Sequence, residues 1–236
     1  CRVRQIEPPR VAGFSGDLRF PAARTVKQGG VVRAVSIVGP KKVGKTTWGL
    51  SLVEELQRRG VRVAAAKHTR HHFDRPESDT AKYLGACEAV ASVSPEASAV
   101  SWAGELPLTR LAGLAEAEFL VAEGFRETQV LPRVLLLEEA SQAEAYGAGL
   151  AVATAGDVPT EGLPHAGSAS ELADIVLEQG FLLPGLDCGH CEPGSCAGLA
   201  REIAAGRLGE EACRTRRATV SVTVNGRSLD LNPFVA

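Results

Sequence analysis

The feature that most constrains this chain is an apolar run that ends in a glycine-punctuated loop and passes at once into an amphipathic stretch. The run is Val31 to Val38, the loop is Gly39-Pro40-Lys41-Lys42-Val43-Gly44-Lys45-Thr46, and the stretch is Thr46 to Arg59. Leu52, Val53 and Leu56 are spaced for one helical face, and Gly60 is the stop. The loop fits G-x-x-x-x-G-K-[ST], placed where its chemistry requires it, after a strand and before a helix. Glycines let backbone N–H groups turn inward onto phosphate oxygens, and a helix N-terminus adds partial positive charge. Lys45 is placed to reach the β- and γ-phosphates, and the Thr46 hydroxyl to ligate Mg²⁺. The expected nucleotide-binding residues are therefore Gly39, Pro40, Lys41, Lys42, Val43, Gly44, Lys45, Thr46 and Thr47. A nucleoside triphosphate is the expected ligand, in preference to a glycine-rich turn that holds nothing.

The same alternation continues along the chain. Val61 to Ala66 reads as a second strand, and further apolar runs lie at Ala89–Val93, Ala99–Trp102, Glu118–Ala122, Val134–Leu137 and Leu150–Thr154. Near-continuous apolar strands alternating with helices predict an α/β P-loop NTPase fold with a mostly parallel sheet covered on both faces. Asp174 to Phe181 is expected to close this domain, which spans 31–184. Residues 1–30 form a separate extension, where Arg2, Arg4, Arg10, Arg19, Arg24 and Lys27 outnumber Glu7 and Asp17. The plain reading of that basic arm is a cover for a sheet edge, and a contact with a partner or nucleotide is the alternative. Residues 185–236 form a small Cys-rich domain. It contains an amphipathic stretch, Ala197 to Leu208, and ends in a hairpin: Val220 to Val224, Asn225-Gly226, then Arg227 to Leu231.

Mg²⁺ bound to a triphosphate needs a carboxylate, usually at the end of a buried strand. Phe119-Leu120-Val121-Ala122-Glu123-Gly124 supplies one, so Thr46 and Glu123 are the candidate Mg²⁺ ligands, and Lys45 and Glu123 the candidate catalytic residues. Lys67-His68-Thr69-Arg70-His71-His72-Phe73-Asp74 follows the second strand and is expected on the same rim. Adjacent His71 and His72 do not easily face one ion, so a loop that senses phosphate or substrate is the better expectation. Asp157, in Thr154-Ala155-Gly156-Asp157, follows a strand and is a candidate for contact with the base.

Composition narrows the function classes. Net charge is −2 and aromatics are 5% of 236 residues, which argues against a nucleic-acid specialist with a basic face or stacking platform. No run approaches the length of apolar chain that spans a membrane. With no secretory signal read in the chain, the expected setting is cytoplasmic, where disulfide frameworks are rare. Six cysteines therefore call for another explanation.

Four of them, Cys188, Cys191, Cys196 and Cys213, lie close together in a Gly-rich segment. Iron–sulfur clusters take four thiolates, and Gly189, Gly194 and Ser195 leave backbone N–H groups free to approach the sulfides. Zinc is the competitor, although its structural sites commonly use two C-x2-C knuckles and only one is present. The expectation is a [4Fe–4S] cluster, with a structural, docking or redox role. Cys87 has no partner at motif spacing and is expected to be a small buried hydrophobe.

Taken together, Gly39 to Thr47, Lys67-His68 with His71 and Asp74, Asp79-Thr80, Gly85-Ala86 and Val121-Ala122-Glu123-Gly124-Phe125-Arg126 resemble the MobB family. These are P-loop GTPases of molybdopterin-guanine dinucleotide biosynthesis. The resemblance covers roughly residues 33 to 178; Thr80 stands where the family usually has Ser, and Arg70 where His is common. It implies GTP, Mg²⁺, weak hydrolysis, a homodimer, and an adaptor role beside molybdopterin guanylyltransferase and molybdenum or tungsten enzymes. It also places His68, His71, Asp74 and Asp79 in a substrate or switch loop. The four-cysteine run resembles small iron–sulfur domains of anaerobic electron-transfer and corrinoid proteins. The alternatives are a redox-responsive NTPase that matures another metallocentre, or a nucleotide-binding scaffold with a structural zinc.

Overall fold

A computed structural model describes residues 32–69, 74–217, 221–224 and 227–230. The basic extension, Arg70, His71 and the Asn225-Gly226 turn lie outside the described residues. In chain order the elements are β1 (Arg33–Val38), α1 (Lys45–Arg58), β2 (Val63–Lys67), α2 (Asp79–Leu84), β3 (Ala89–Val93), β4 (Ser98–Trp102), α3 (Leu108–Leu114), β5 (Phe119–Glu123) and β6 (Arg133–Leu136). Then come α4 (Ala143–Gly147), β7 (Ala151–Ala155), β8 (His165–Ala166), α5 (Ala169–Gln179), α6 (Cys196–Ala204), α7 (Arg214–Arg217), β9 (Ser221–Val224) and β10 (Arg227–Asp230).

Six strands form one sheet in the order β2-β5-β1-β6-β7-β8, every pairing parallel. The chain leaves β1 toward β2 on one side, then crosses to β6 on the other, so β1 marks the point where the winding reverses. In open α/β sheets that crevice, beyond the carboxyl ends of the strands, is where ligands sit.

The central strands are buried on both faces, which explains their unbroken apolar sequence. Val35, Ile37, Phe119, Val121, Val134 and Leu136 pack with Leu52 and Leu56 of α1 and with Leu172 and Val176 of α5. Ala34, Leu120 and Ala122 point the other way, onto Leu108 and Ala112 of α3 and onto Leu131, Phe125 and Leu182. Of the three residues expected on the inner face of α1, Leu52 and Leu56 are fully buried and Val53 is partly so.

Two expectations are corrected. The runs at Ala89–Val93 and Ala99–Trp102 do not join the parallel sheet; β3 and β4 pair antiparallel with each other, Ala91 opposite Val100. The link between them is a tight turn, with Ser94 N–H donating to Ala97 O at 2.8 Å. A parallel neighbour would need a far longer crossover. Cys87 is exposed rather than buried, because it sits between short α2 and this thinly covered hairpin. Its thiol lies against Tyr83 O at 2.9 Å and Ala89 O at 3.3 Å.

Polar contacts fasten α1 to α5. Glu55 accepts hydrogen bonds from Arg58 at 2.8 and 2.7 Å and from Arg59 at 2.7 Å, and Arg59 also donates to Ser170 and pairs with Asp174 on α5. Hydrogen bonds from Arg58 and then Arg59 hold the Glu55 carboxyl at about 2, against an ordinary 4.5. Its folded pKa is depressed, so its stabilising contribution is present above the ordinary value and is lost as pH falls through the window down to about 2. Glu55→Gln should therefore flatten the acid limb of a plot of melting temperature against pH within that window. A wild-type slope in the variant would count against this role.

The C-terminal segment packs onto the sheet domain. Leu199 and Ala200 of α6, with Cys213, are buried against Leu150, Phe181 and Leu183. Arg201 of α6 donates to Gln129 Oε1 and, at 3.4 Å, to Ala148 O. Strands β9 and β10 pair antiparallel with Val224 opposite Arg227. Among the described residues no helix is long and apolar enough to cross a membrane.

Candidate functional site

The loop from Gly39 to Gly44 rises from the carboxyl end of β1, at the centre of the sheet. Gly39 is dictated by the packing beneath it: a Cβ there would lie 1.8 Å from the carbonyl oxygen of Leu136 at the end of β6. The loop backbone is thus pressed onto the neighbouring strand. Lys42 (φ 68°) and Gly44 (φ 86°) both take left-handed conformations, the kind of backbone that turns successive N–H groups into a concave anion cradle. Gly44 caps α1 without any side-chain hydrogen bond, so the first-turn amides of this 14-residue helix have no side-chain cap.

Lys45 folds back over the cradle. Its Nζ donates to Gly39 O at 3.1 Å and also to Pro40 O. Burial lowers its pKa, Glu123 opposes that shift, and Lys67 adds to it. Thr46 Oγ1 donates to Glu123 Oε2 at 2.9 Å, so the two candidate Mg²⁺ ligands are in contact. Glu123 is in register with Ile37 of β1 on one side and Lys67 of β2 on the other. Lys67 Nζ lies 3.0 Å from Glu123 Oε1 and donates to Thr46 Oγ1 at 3.3 Å. Buried Ser36 fixes the turn after Glu123 by donating to Gly124 O at 2.6 Å.

The remaining rim candidates divide. His68 follows Lys67; its backbone N–H donates to Glu123 O at 2.9 Å, and its ring meets Phe125 edge-on with centroids 5.5 Å apart. Asp74 caps its own loop, accepting from Arg75 N–H at 2.7 Å and from the Ser78 hydroxyl, whose hydrogen bond is the main cause of its lowered pKa. Asp79, in the first turn of α2, pairs with Lys82 at 2.9 Å. His71 lies outside the described residues. Asp157 is exposed just beyond β7, next to Gly156, whose backbone approaches the indole of Trp48 on α1.

Of the four C-terminal cysteines, Cys213 feels the thiols of Cys191 and Cys196, and Cys188 lies against Thr215. Cys196 opens α6 and is buried, Cys213 is buried, Cys191 is half-buried and Cys188 is exposed. The Cys213 thiol is pushed up chiefly by burial; backbone N–H groups of Arg216 and Thr215 pull it down, and Cys191 and Cys196 push it up. Cys188 Sγ lies 3.4 Å from Thr215 Oγ1, and that hydroxyl, with His190, brings its pKa down to about 7. Cys196 N–H donates to Asp187 Oδ1 at 2.7 Å, which fixes the start of the helix. Among the described residues, no three His, Cys, Asp or Glu side chains are grouped as a single metal ion requires.

The model of the family described as "Molybdopterin guanine dinucleotide synthesis protein B" matches residues 34–155, more than half of the chain. The chain belongs to the MobB family. Membership ties it to molybdenum-cofactor biosynthesis. Among solved structures, Bacillus subtilis MobB is 25% identical, covering 63% of this chain and 98% of that one with a TM-score of 0.49. A MobB homolog from Bacillus stearothermophilus is 20% identical, covering 60% and 92%, with a TM-score of 0.42. A further molybdopterin-guanine biosynthesis protein B is 22% identical, covering 61% and 97%, with a TM-score of 0.48. No curated protein matches the chain. The MobB match takes in the loop, Lys67, His68 and Glu123, and stops before Asp157 and the four C-terminal cysteines.

Within the MobB-matched region, the residue least visible beforehand is Arg133. It stands at the start of β6, 1% exposed. Its guanidinium donates to Tyr146 O at 2.7 Å, Thr128 O at 3.2 Å and Arg126 O, fixing the loop that follows Glu123. An arginine in an apolar strand reads as a strand edge, and only the fold shows that backbone carbonyls converge on it. Arg133→Met should destabilise the protein by about 3 kcal/mol in urea titrations, because several buried carbonyls lose their donor. A change under about 0.5 kcal/mol would show that water replaces the guanidinium without cost.

Proposed function

We propose that this MobB protein binds GTP with Mg²⁺ on the 39–47 loop, hydrolyses it weakly, and acts as an adaptor for molybdopterin guanylyltransferase. The observation that carries the reading is the contact of Thr46 with Glu123 beside the Lys45 cradle. The donor set suits the metal: a hydroxyl and a carboxylate are hard oxygen ligands, two of the few protein ligands Mg²⁺ takes beside phosphate and water. Mg²⁺ bound there supplies charge neutralisation across the β- and γ-phosphate oxygens. Lys45 exchanges its loop carbonyls for those oxygens, and the amides of the loop and of the first turn of α1 orient the phosphate chain. Asp157, which follows Gly156 where the backbone approaches Trp48, is our candidate for reading the guanine edge. His68, His71, Asp74 and Asp79 we assign to the substrate-responsive loop. A homodimer, a cytoplasmic setting, and molybdenum or tungsten enzymes as downstream clients complete the reading.

The chain divides, in this proposal, into an extension (1–30), a nucleotide domain (31–184) and a lobe (185–236) that holds a [4Fe–4S] cluster on Cys188, Cys191, Cys196 and Cys213. Support comes from the Cys191 and Cys196 thiols acting on that of Cys213 and from the backbone N–H groups of Arg216 and Thr215 that bond it. Sulfur-directed amides are among the groups that tune such clusters. The redox-responsive reading draws support from one contact: Arg201, on the helix that begins at Cys196, bonds Gln129 in the loop downstream of Glu123.

Anaerobic purification followed by iron and zinc counting and competitive GTP and ATP titrations tests the whole reading. The expected result is about four iron atoms per chain with tighter binding of GTP. One zinc per chain, or ATP preferred over GTP, overturns the corresponding half.

A further inference from the structure

Lys67 occupies a position that the nucleotide-binding reading leaves unexplained. Its ammonium nitrogen touches both candidate metal ligands at once, Glu123 Oε1 at 3.0 Å and Thr46 Oγ1 at 3.3 Å, while those ligands touch each other at 2.9 Å. The pairing is built by the backbone: Lys67 and Glu123 are direct cross-strand partners in β2 and β5. Lys45, the other cation nearby, donates to Gly39 O and Pro40 O and feels Glu123 only through space. Of the two lysines, Lys67 is the one in direct contact with Glu123.

We propose that Lys67 is a resident cation at the metal position. In the nucleotide-free protein its ammonium keeps Thr46 and Glu123 in the posture of ligands and excludes a divalent ion from between them. When metal arrives with nucleotide, Lys67 gives up both contacts. Its side chain is 58% exposed, so it is free to swing aside while its backbone stays anchored in β2. Metal entry is thereby made conditional on nucleotide. Lys67 is a positioning residue in this scheme, acting through Thr46 and Glu123.

The inference rests on the nucleotide-binding reading above, and one experiment separates their failures. Mn²⁺ binding is followed by electron paramagnetic resonance for wild type, Lys67→Gln, Lys67→Arg and Lys67→Gln/Glu123→Gln, with and without saturating GDP. Without nucleotide, Lys67→Gln should bind Mn²⁺ about tenfold more tightly than wild type, a modest gain because the lysine is solvent-screened. Lys67→Arg, which keeps the charge, should stay as weak as wild type, and the double variant should lose the gain. With GDP bound, the advantage of Lys67→Gln should disappear. Equal or weaker Mn²⁺ binding by nucleotide-free Lys67→Gln overturns the resident-cation role, whereas a wild type that binds no GDP overturns the nucleotide reading itself.

Discussion

Lys45→Ala is expected to lower affinity for GTP by about a hundredfold, with the melting temperature of the nucleotide-free protein nearly unchanged. The two parts of this expectation have different causes. Among the described residues the hydrogen bonds of the ammonium go to carbonyls of its own loop, Gly39 O and Pro40 O, so its removal costs the fold little. With triphosphate bound, the same ammonium would make charge-assisted hydrogen bonds in a partly desolvated cradle, each worth about 1.5–3 kcal/mol. Two such bonds lost correspond to at least about two decades in dissociation constant. Lys45→Arg should not rescue, because a planar guanidinium does not fit the point-charge position at the base of the loop. Calorimetric titration reads the effect directly, and an unchanged dissociation constant for Lys45→Ala would remove the loop from the mechanism.

Cys213→Ser should lower the iron content of anaerobically purified protein by roughly tenfold or more and loosen the C-terminal lobe. Cys213 belongs to the cluster formed by Leu150, Phe181, Leu183, Leu199 and Ala200, so its sulfur is both a candidate ligand and a packing atom. A serine there would place a hydroxyl among apolar side chains and remove the thiolate. Cys87→Ser supplies the control: Cys87 is exposed beside the β3–β4 hairpin, so iron content should be unaffected. Iron content is the decisive measurement, since destabilisation alone would follow from packing. A Cys213→Ser protein with wild-type iron would show that the cluster, or the ligand set, has been assigned wrongly.

Much of the candidate nucleotide site is legible in the linear sequence because the chemistry proposed for it depends on local order. A cradle of backbone amides needs Gly39, Gly44, Lys45 and Thr46 at fixed spacing, and spacing is what a sequence records. Glu123 is legible for a related reason, as a carboxylate that ends an apolar strand. Pairing is another matter. The runs at Ala89–Val93 and Ala99–Trp102 have the same short apolar signature as sheet strands, and hydrophobicity does not name a strand's partner. Register is equally silent in the sequence, so the meeting of Lys67 with Glu123 emerges only once β2 and β5 are aligned. Arg133 and Arg201 take their roles from carbonyl and amide groups brought in from distant segments, among them Tyr146 and Gln129. Cys87 shows that residue type alone is a weak guide to burial when the covering element is a lone hairpin.

The strand order also sets a timetable. Ala34 pairs with Leu120 and Ile37 with Val134, so β1 gains its neighbours only after most of the sheet domain has been made. Gly39 rests on the carbonyl of Leu136, the last residue of β6. A nascent chain that has not yet released that residue from the ribosome lacks the floor on which the phosphate loop is shaped. Assembly dominated by such non-local pairings is slow, and a ligand that binds only the finished form draws the equilibrium toward it. Under the proposed function, nucleotide capture would be a late event in the life of each molecule, and it would report that the sheet is complete.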